Sequence, residues 1–115
     1  MSNMYKYNIY IGMFDKDTKQ QEISSQDYFN KIRQVLRLNK IDNYTIYKAK
    51  GHYRSELQIV CEPTLVVEFI DTNRYETLYD MKTFIDKIIN KMRDEFILTL
   101  NQEDVLITRQ EVQVL

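Results

Sequence analysis

Leu65-Val66-Val67-Glu68-Phe69-Ile70 is the most strand-like run in this chain. Its β-branched and aromatic side chains fit a pleated surface, and alternation sends Leu65, Val67 and Phe69 to one face and Val66 and Ile70 to the other. Apolar residues on both faces predict a central strand, around which the rest of the sheet is built.

Toward the N-terminus, the run extends back to about Leu57 and pairs as a hairpin with a strand that starts near Tyr44-Thr-Ile-Tyr-Lys-Ala-Lys and ends near Arg54. The reversal falls at Ser55-Glu56, although Ser-Glu is not a favoured turn pair. Pro63 has no N–H to give to a ladder, so a bulge or an edge position is expected there, with Gly51 opposite and the ladder interrupted. Before the hairpin, Asp42-Asn43 makes a turn, and Tyr28, Ile32, Val35 and Leu36 recur at helical spacing. A helix from about Ser25 to Asn39 follows, with Ser24 or Ser25 as its cap. Tyr5, Tyr7, Ile9, Ile11 and Met13 occupy alternate positions and mark the first strand.

Toward the C-terminus, Asp71-Thr-Asn stops the central strand. Thr77 with Asp80 three residues later resembles a capping box. Leu78, Met81, Phe84/Ile85, Ile88/Ile89, Met92 and Phe96 then predict one long amphipathic helix, about Leu78 to Phe96. Asp104-Val-Leu-Ile-Thr-Arg-Gln-Glu-Val-Gln-Val returns to strand composition. The order βαββαβ, with both helices burying one face on the same side of an antiparallel sheet, is the two-layer α+β ferredoxin-like sandwich. The expected sheet order is 4-1-3-2, which leaves one sheet face without a helical cover.

The 115 residues fit a single domain, 1–115, because two halves would each be too small to bury a core unaided. Apolar residues make up 43% and charged residues 29%, the balance of a folding chain. With Lys+Arg 16 against Asp+Glu 17 the net charge is -1, so no long-range field steers the chain to nucleic acid or anionic lipid. The single cysteine, Cys61, allows no internal disulfide and no Cys-based zinc cluster. No signal-peptide pattern opens the sequence and no stretch reaches 18 consecutive apolar residues, so a cytoplasmic protein off the membrane is expected.

The search for chemistry turns up little. His52, between Gly51 and Tyr53, has no second histidine with which to share a metal, and as a base it would need an acid or nucleophile beside it. Glu56, Glu62 and Glu68 would share one face of an unbroken strand, but positions six apart lie about 20 Å from each other, too far for one ion. The bulge expected at Pro63 spoils even that register, and solvated charges are the better account. Nine tyrosines, several on strands, could stack bases, yet the charge balance is neutral and the RNA-binding signature is missing from the third strand. Two glycines in the whole chain exclude Gly-rich nucleotide loops, and no nucleophile elbow or His-Glu-x-x-His motif occurs.

Taken together, Tyr10-Ile-Gly, Tyr44-Thr-Ile-Tyr-Lys-Ala-Lys-Gly-His-Tyr, Glu62-Pro-Thr-Leu-Val-Val-Glu-Phe and Asn101-Gln-Glu-Asp-Val-Leu-Ile resemble a family of small uncharacterised proteins of phages, prophages and low-GC Gram-positive bacteria. The likeness covers most of the chain and departs from the pattern at Pro63, at Asp104 and in a shorter hairpin turn. It implies a phage-associated, non-enzymatic protein and supplies no catalytic residue.

The leading expectation is therefore a non-enzymatic module that binds a host or phage protein, as a host-takeover or anti-defence factor. It would use the open sheet face or the hairpin, with Tyr7, Tyr47, Lys48, Lys50, His52, Tyr53 and Arg54 as candidate partner-binding residues. A single-stranded nucleic-acid or nucleotide binder using Tyr7, Tyr47 and Tyr53 is the disfavoured second reading. A dimeric small-molecule enzyme with His52 in its cleft is the third. No cofactor is expected, and the bare apolar face predicts a homodimer.

Overall fold

A computed structural model describes residues 2–71 and 77–115, apart from the side chains of Ser2, Asn3, Tyr53, Ser55 and Leu78. The chain runs through β1 (Ser2–Gly12), α1 (Ser25–Leu38), β2 (Thr45–Ser55), β3 (Gln58–Asp71), α2 (Leu78–Phe84), α3 (Asn90–Thr99) and β4 (Leu106–Val114). One antiparallel sheet has the order β2-β3-β1-β4, with the helices on one face: the α+β arrangement that the sequence pattern predicts. Beyond Asp71, the stop read at Asp71-Thr-Asn lies outside the described residues.

Cross-strand partners share a face, so the register sorts the side chains into two layers. Ile9 pairs with Val67 and Ile107, and Ile11 pairs with Leu65, on the helix side. There they meet Tyr28, Ile32 and Leu36 of α1 and Met92 and Phe96 of α3 in one core. The opposite face carries the row Tyr47, Val66, Tyr10 and Leu106, and no helix covers it. Only Val66 in that row is buried, between two partly exposed tyrosines.

The helix ends follow the local chemistry of the sequence. Ser24 Oγ accepts from the Asp27 amide at 3.1 Å, and Thr77 Oγ1 accepts from the Asp80 amide at 3.2 Å, which satisfies amides that have no helical partner. Residues 78–99 form one rod that is not uniform: a π turn, Ile85–Ile89, joins α2 to α3. The Asn90 amide donates to the Ile85 carbonyl, and the extra residue in that turn helps keep Ile89, Met92 and Phe96 facing the core. No helix among the described residues is long and apolar enough to cross a membrane.

Two expectations about the hairpin are corrected. The β2–β3 register runs without a break from Thr45↔Glu68 to Ser55↔Gln58, so Pro63 makes no bulge and the ladder is not interrupted. The Pro63 carbonyl turns toward β1 and accepts from the Met13 amide at 2.9 Å. Its ring nitrogen lies on that same edge, just where β1 ends, so β2 loses no hydrogen bond; the edge position is the alternative that holds. The reversal also falls one residue later than read, at Glu56-Leu57, with Glu56 at φ 55°.

At the end of α1, the Ile41 amide reaches the Leu36 carbonyl and the Lys40 amide reaches that of Arg37, with Lys40 at φ 61°. This left-handed cap suits glycine, because a Cβ there costs ~1–2 kcal/mol. Lys40→Gly should raise unfolding stability by about 0.5–1 kcal/mol after glycine's larger chain entropy is subtracted, as read by denaturant titration.

Candidate functional site

The chain's two glycines both border one cleft at the Gly12 end of the open sheet face. A glycine inside a strand often marks a close approach, and both do so here. A Cβ on Gly12 would lie 2.5 Å from Glu62 Oε1 and 2.8 Å from Oε2, and one on Gly51 would lie 2.6 Å from Thr64 Oγ1. The missing Cβ of Gly12 thus leaves the space in which the Glu62 carboxylate folds down against β1.

That carboxylate is the chemical centre of the cleft, which has a volume of about 520 Å³ and includes Tyr10, Phe14, His52 and Leu106 in its walls. Glu62 Oε2 accepts from the Phe14 amide at 3.2 Å. Burial pushes the Glu62 carboxyl above its ordinary value of 4.5, against the opposing pull of the Phe14 amide and of Lys19. A half-buried carboxylate among aromatic walls can attract a cation, which gains from the charge and from the ring faces together.

Two loops frame the cleft. Asp15 Oδ1 accepts from the amides of Asp17 at 2.8 Å and Thr18 at 3.1 Å, which closes the turn after β1. Asn101 Nδ2 donates to Asp15 Oδ2 at 2.7 Å and to Asp17 Oδ2 at 2.9 Å, so the α3–β4 turn grips that loop. These donors, Asn101 first, hold the Asp15 carboxyl below its ordinary value. Tyr28 reaches the same region from below, its hydroxyl donating to the Met13 carbonyl at 2.9 Å. Among the described residues, no group of three His, Cys, Asp or Glu side chains is placed to hold a metal ion.

The seven candidate residues do not converge. Tyr7 is 2% exposed, inside the core, stacked on Phe69 at 5.2 Å and edge-on to Phe84 at 6.1 Å. It can serve neither as a stacking platform nor as a contact for a partner. Lys48 and Lys50 pair with Leu65 and Pro63 on the helix side of the sheet, whereas Tyr47 pairs with Val66 on the open side. Arg54 lies farther out, opposite Ile59 near the hairpin tip. The side chain of Tyr53 is outside the described residues. Of the six whose side chains are described, His52 alone borders the cleft.

Glu62 was legible in the sequence only as one of three spaced carboxylates. Glu56 sits in the hairpin turn, and the unbroken ladder leaves Glu62 and Glu68 on one face. The signal that could have singled out Glu62 is the pair of glycines, in a chain with no others, on the two strands that flank β3.

The raised carboxyl makes stability depend on pH. The unfolded side chain titrates near 4.5 and the folded one higher, so between those values the folded state holds the extra proton. Stability therefore falls as pH rises through that window and stays lower above it. Glu62→Gln should abolish this fall, so its melting temperature exceeds the parent's at pH 7 and the difference shrinks below pH 4.5. Equal slopes in the two proteins would contradict the assignment.

No family model and no curated protein matches the sequence. Among solved structures, the chain is similar to a phage SAM lyase in complex with S-methyl-5′-thioadenosine, with a TM-score of 0.69 and 17% identity over 94% of this chain and 81% of that one. It is also similar to a phage SAM lyase in the apo state, with a TM-score of 0.61 and 19% identity over 95% and 81%. At these identities the likeness shows the fold. It nonetheless overturns the expectation of a non-enzymatic binding module. That expectation rested on missing motifs, aromatic-rich strands and the family resemblance, and this fold, over nearly the whole chain, is one that carries an enzyme. The phage character implied by the sequence resemblance agrees with both neighbours.

Proposed function

We propose that the chain is an enzyme of phage origin that cleaves S-adenosylmethionine as a lyase, at the cleft around Glu62. The observation that carries the reading is the Glu62 carboxylate, seated over Gly12 among Tyr10 and Phe14, in a fold shared with phage SAM lyases. The substrate is a sulfonium cation, and its positive sulfur and ammonium groups are what a half-buried carboxylate and aromatic walls attract.

A lyase uses no water in the bond-breaking step. The bond from sulfur to the γ-carbon of the amino-acid arm breaks with both electrons passing to sulfur, which leaves S-methyl-5′-thioadenosine as a neutral thioether. The carbon gains its new bond from the substrate's own carboxylate oxygen, closing a lactone. No proton has to be supplied or removed in this balance. The task of the chain is to hold the cation folded and shielded from water, as positioning and electrostatics require. Glu62 supplies the charge that pairs with the cation, and Gly12 supplies the space in which Glu62 sits. Consumption of a methyl donor in the host cytoplasm is compatible with a host-takeover or anti-defence role.

Purified protein incubated with S-adenosylmethionine should release S-methyl-5′-thioadenosine together with homoserine lactone, both read by liquid chromatography and mass spectrometry. Glu62→Gln should lower kcat/KM by roughly a hundredfold, the order expected for loss of a central electrostatic group. Gly12→Ala should fold and yet lose much of the activity, because its methyl group displaces the carboxylate. Release of homoserine carrying ¹⁸O from the water in its γ-hydroxyl would mean hydrolysis, whereas label confined to the carboxylate would come from later opening of the lactone.

The open face also supports the proposal of a homodimer. Tyr10, Tyr47, Ile70 and Leu106 are exposed on one uncovered sheet, and a second copy would bury them. Light scattering at high concentration should give twice the monomer mass, and a strict monomer would exclude it.

A further inference from the structure

We infer that Gln102 is a positioning residue of this site, acting on Glu62 through Phe14. The inference rests on the proposed role of the Glu62 cleft. Gln102 is 5% exposed, an unusual burial for a side-chain amide, and its Nε2 donates to the Phe14 carbonyl at 2.9 Å and to the Leu100 carbonyl at 3.2 Å. On the other side of the same residue, the Phe14 amide donates to Glu62 Oε2 at 3.2 Å. Phe14 is therefore held from both sides: its carbonyl by Gln102, its amide by the carboxylate. Rotation of its backbone would break both bonds, so the orientation of the one amide bonded to Glu62 depends on Gln102.

Gln102 is itself anchored by backbone. Its amide donates to the Ile97 carbonyl at 3.0 Å, closing a left-handed cap on α3 in which Asn101 takes φ 48°. The Lys16 amide donates to the Asn101 carbonyl at 3.0 Å beside it. The end of α3 is thus connected to the carboxylate by a short series of bonds: the helix cap, Gln102, Phe14, Glu62. Buried amide donors of this kind support a reacting group by fixing the residue that touches it.

The test follows the Glu62 carboxyl by ¹³C nuclear magnetic resonance, with turnover of S-adenosylmethionine measured in parallel. In the unaltered protein, the Phe14 amide proton should shift with the same midpoint as Glu62; an amide indifferent to that titration would overturn the inference without any mutation. Gln102→Leu should move the Glu62 midpoint upward, because a loosened Phe14 amide no longer favours the carboxylate. The acid limb of the pH–rate profile should move with it, and kcat should fall roughly three- to tenfold, the size of one hydrogen bond's net contribution. Gln102→Met, which keeps the length of the side chain, repeats the measurement if the leucine variant fails to fold. A lower melting temperature with an unmoved Glu62 midpoint would make Gln102 merely structural and overturn the inference. If no turnover of S-adenosylmethionine is seen but the midpoint moves as stated, the positioning device stands and the substrate assignment falls.

Discussion

The pairing of β1 with β3 is the constraint on which the rest of the molecule depends. Eight residue pairs in one register, from Tyr5↔Asp71 to Gly12↔Thr64, set Ile9 against Val67 and Ile11 against Leu65. A slip of one residue would turn those side chains out of the core and onto the open face, so burial of one face fixes the register. The same register sets the end of β1 beside Thr64, two residues from Glu62. Core packing and the position of the carboxylate are therefore consequences of one alignment.

The elements were legible because hydrophobic periodicity is local. Tyr7, Ile9 and Ile11 hold alternate positions that Lys6, Asn8 and Gly12 interrupt, Tyr28, Ile32 and Leu36 repeat each helical turn, and Ser24 and Thr77 cap as their side chains allow. The errors arose where a local rule met a non-local fact. Pro63 forbids a donor, but whether a ladder suffers depends on which edge the missing donor faces, and that is decided by where β1 stops. Likewise, an unbroken apolar pattern from Leu78 to Phe96 does not disclose the π turn, since the pattern tolerates an added residue where Ile88 and Ile89 are both apolar.

The site was less legible than the fold for the same reason. Asp15 and Asn101 are 86 residues apart, and Gln102 and Phe14 are 88 apart, yet these contacts shape the cleft. No motif of fixed spacing can encode them. A search for familiar catalytic motifs, histidines and basic patches instead gathered Tyr7, Lys48 and Lys50, which the pleat sends to the helix side of the sheet. The carboxylate that the cleft half-buries is an ordinary residue type, marked out by its placement and not by any motif.

The unbroken hairpin has a consequence for how this chain keeps to itself. Past Pro63, β3 continues to Gln58 with β2 on one side and no strand on the other, and Leu57 and Ile59 are 100% and 70% exposed at its tip. Such a bare edge is an invitation to any extended segment in a crowded cell. An invader lying in line with β1 would meet Pro63 first, where the amide hydrogen it needs does not exist. The proline therefore removes one donor at the junction where such an addition would begin, while the paired side of the hairpin remains intact.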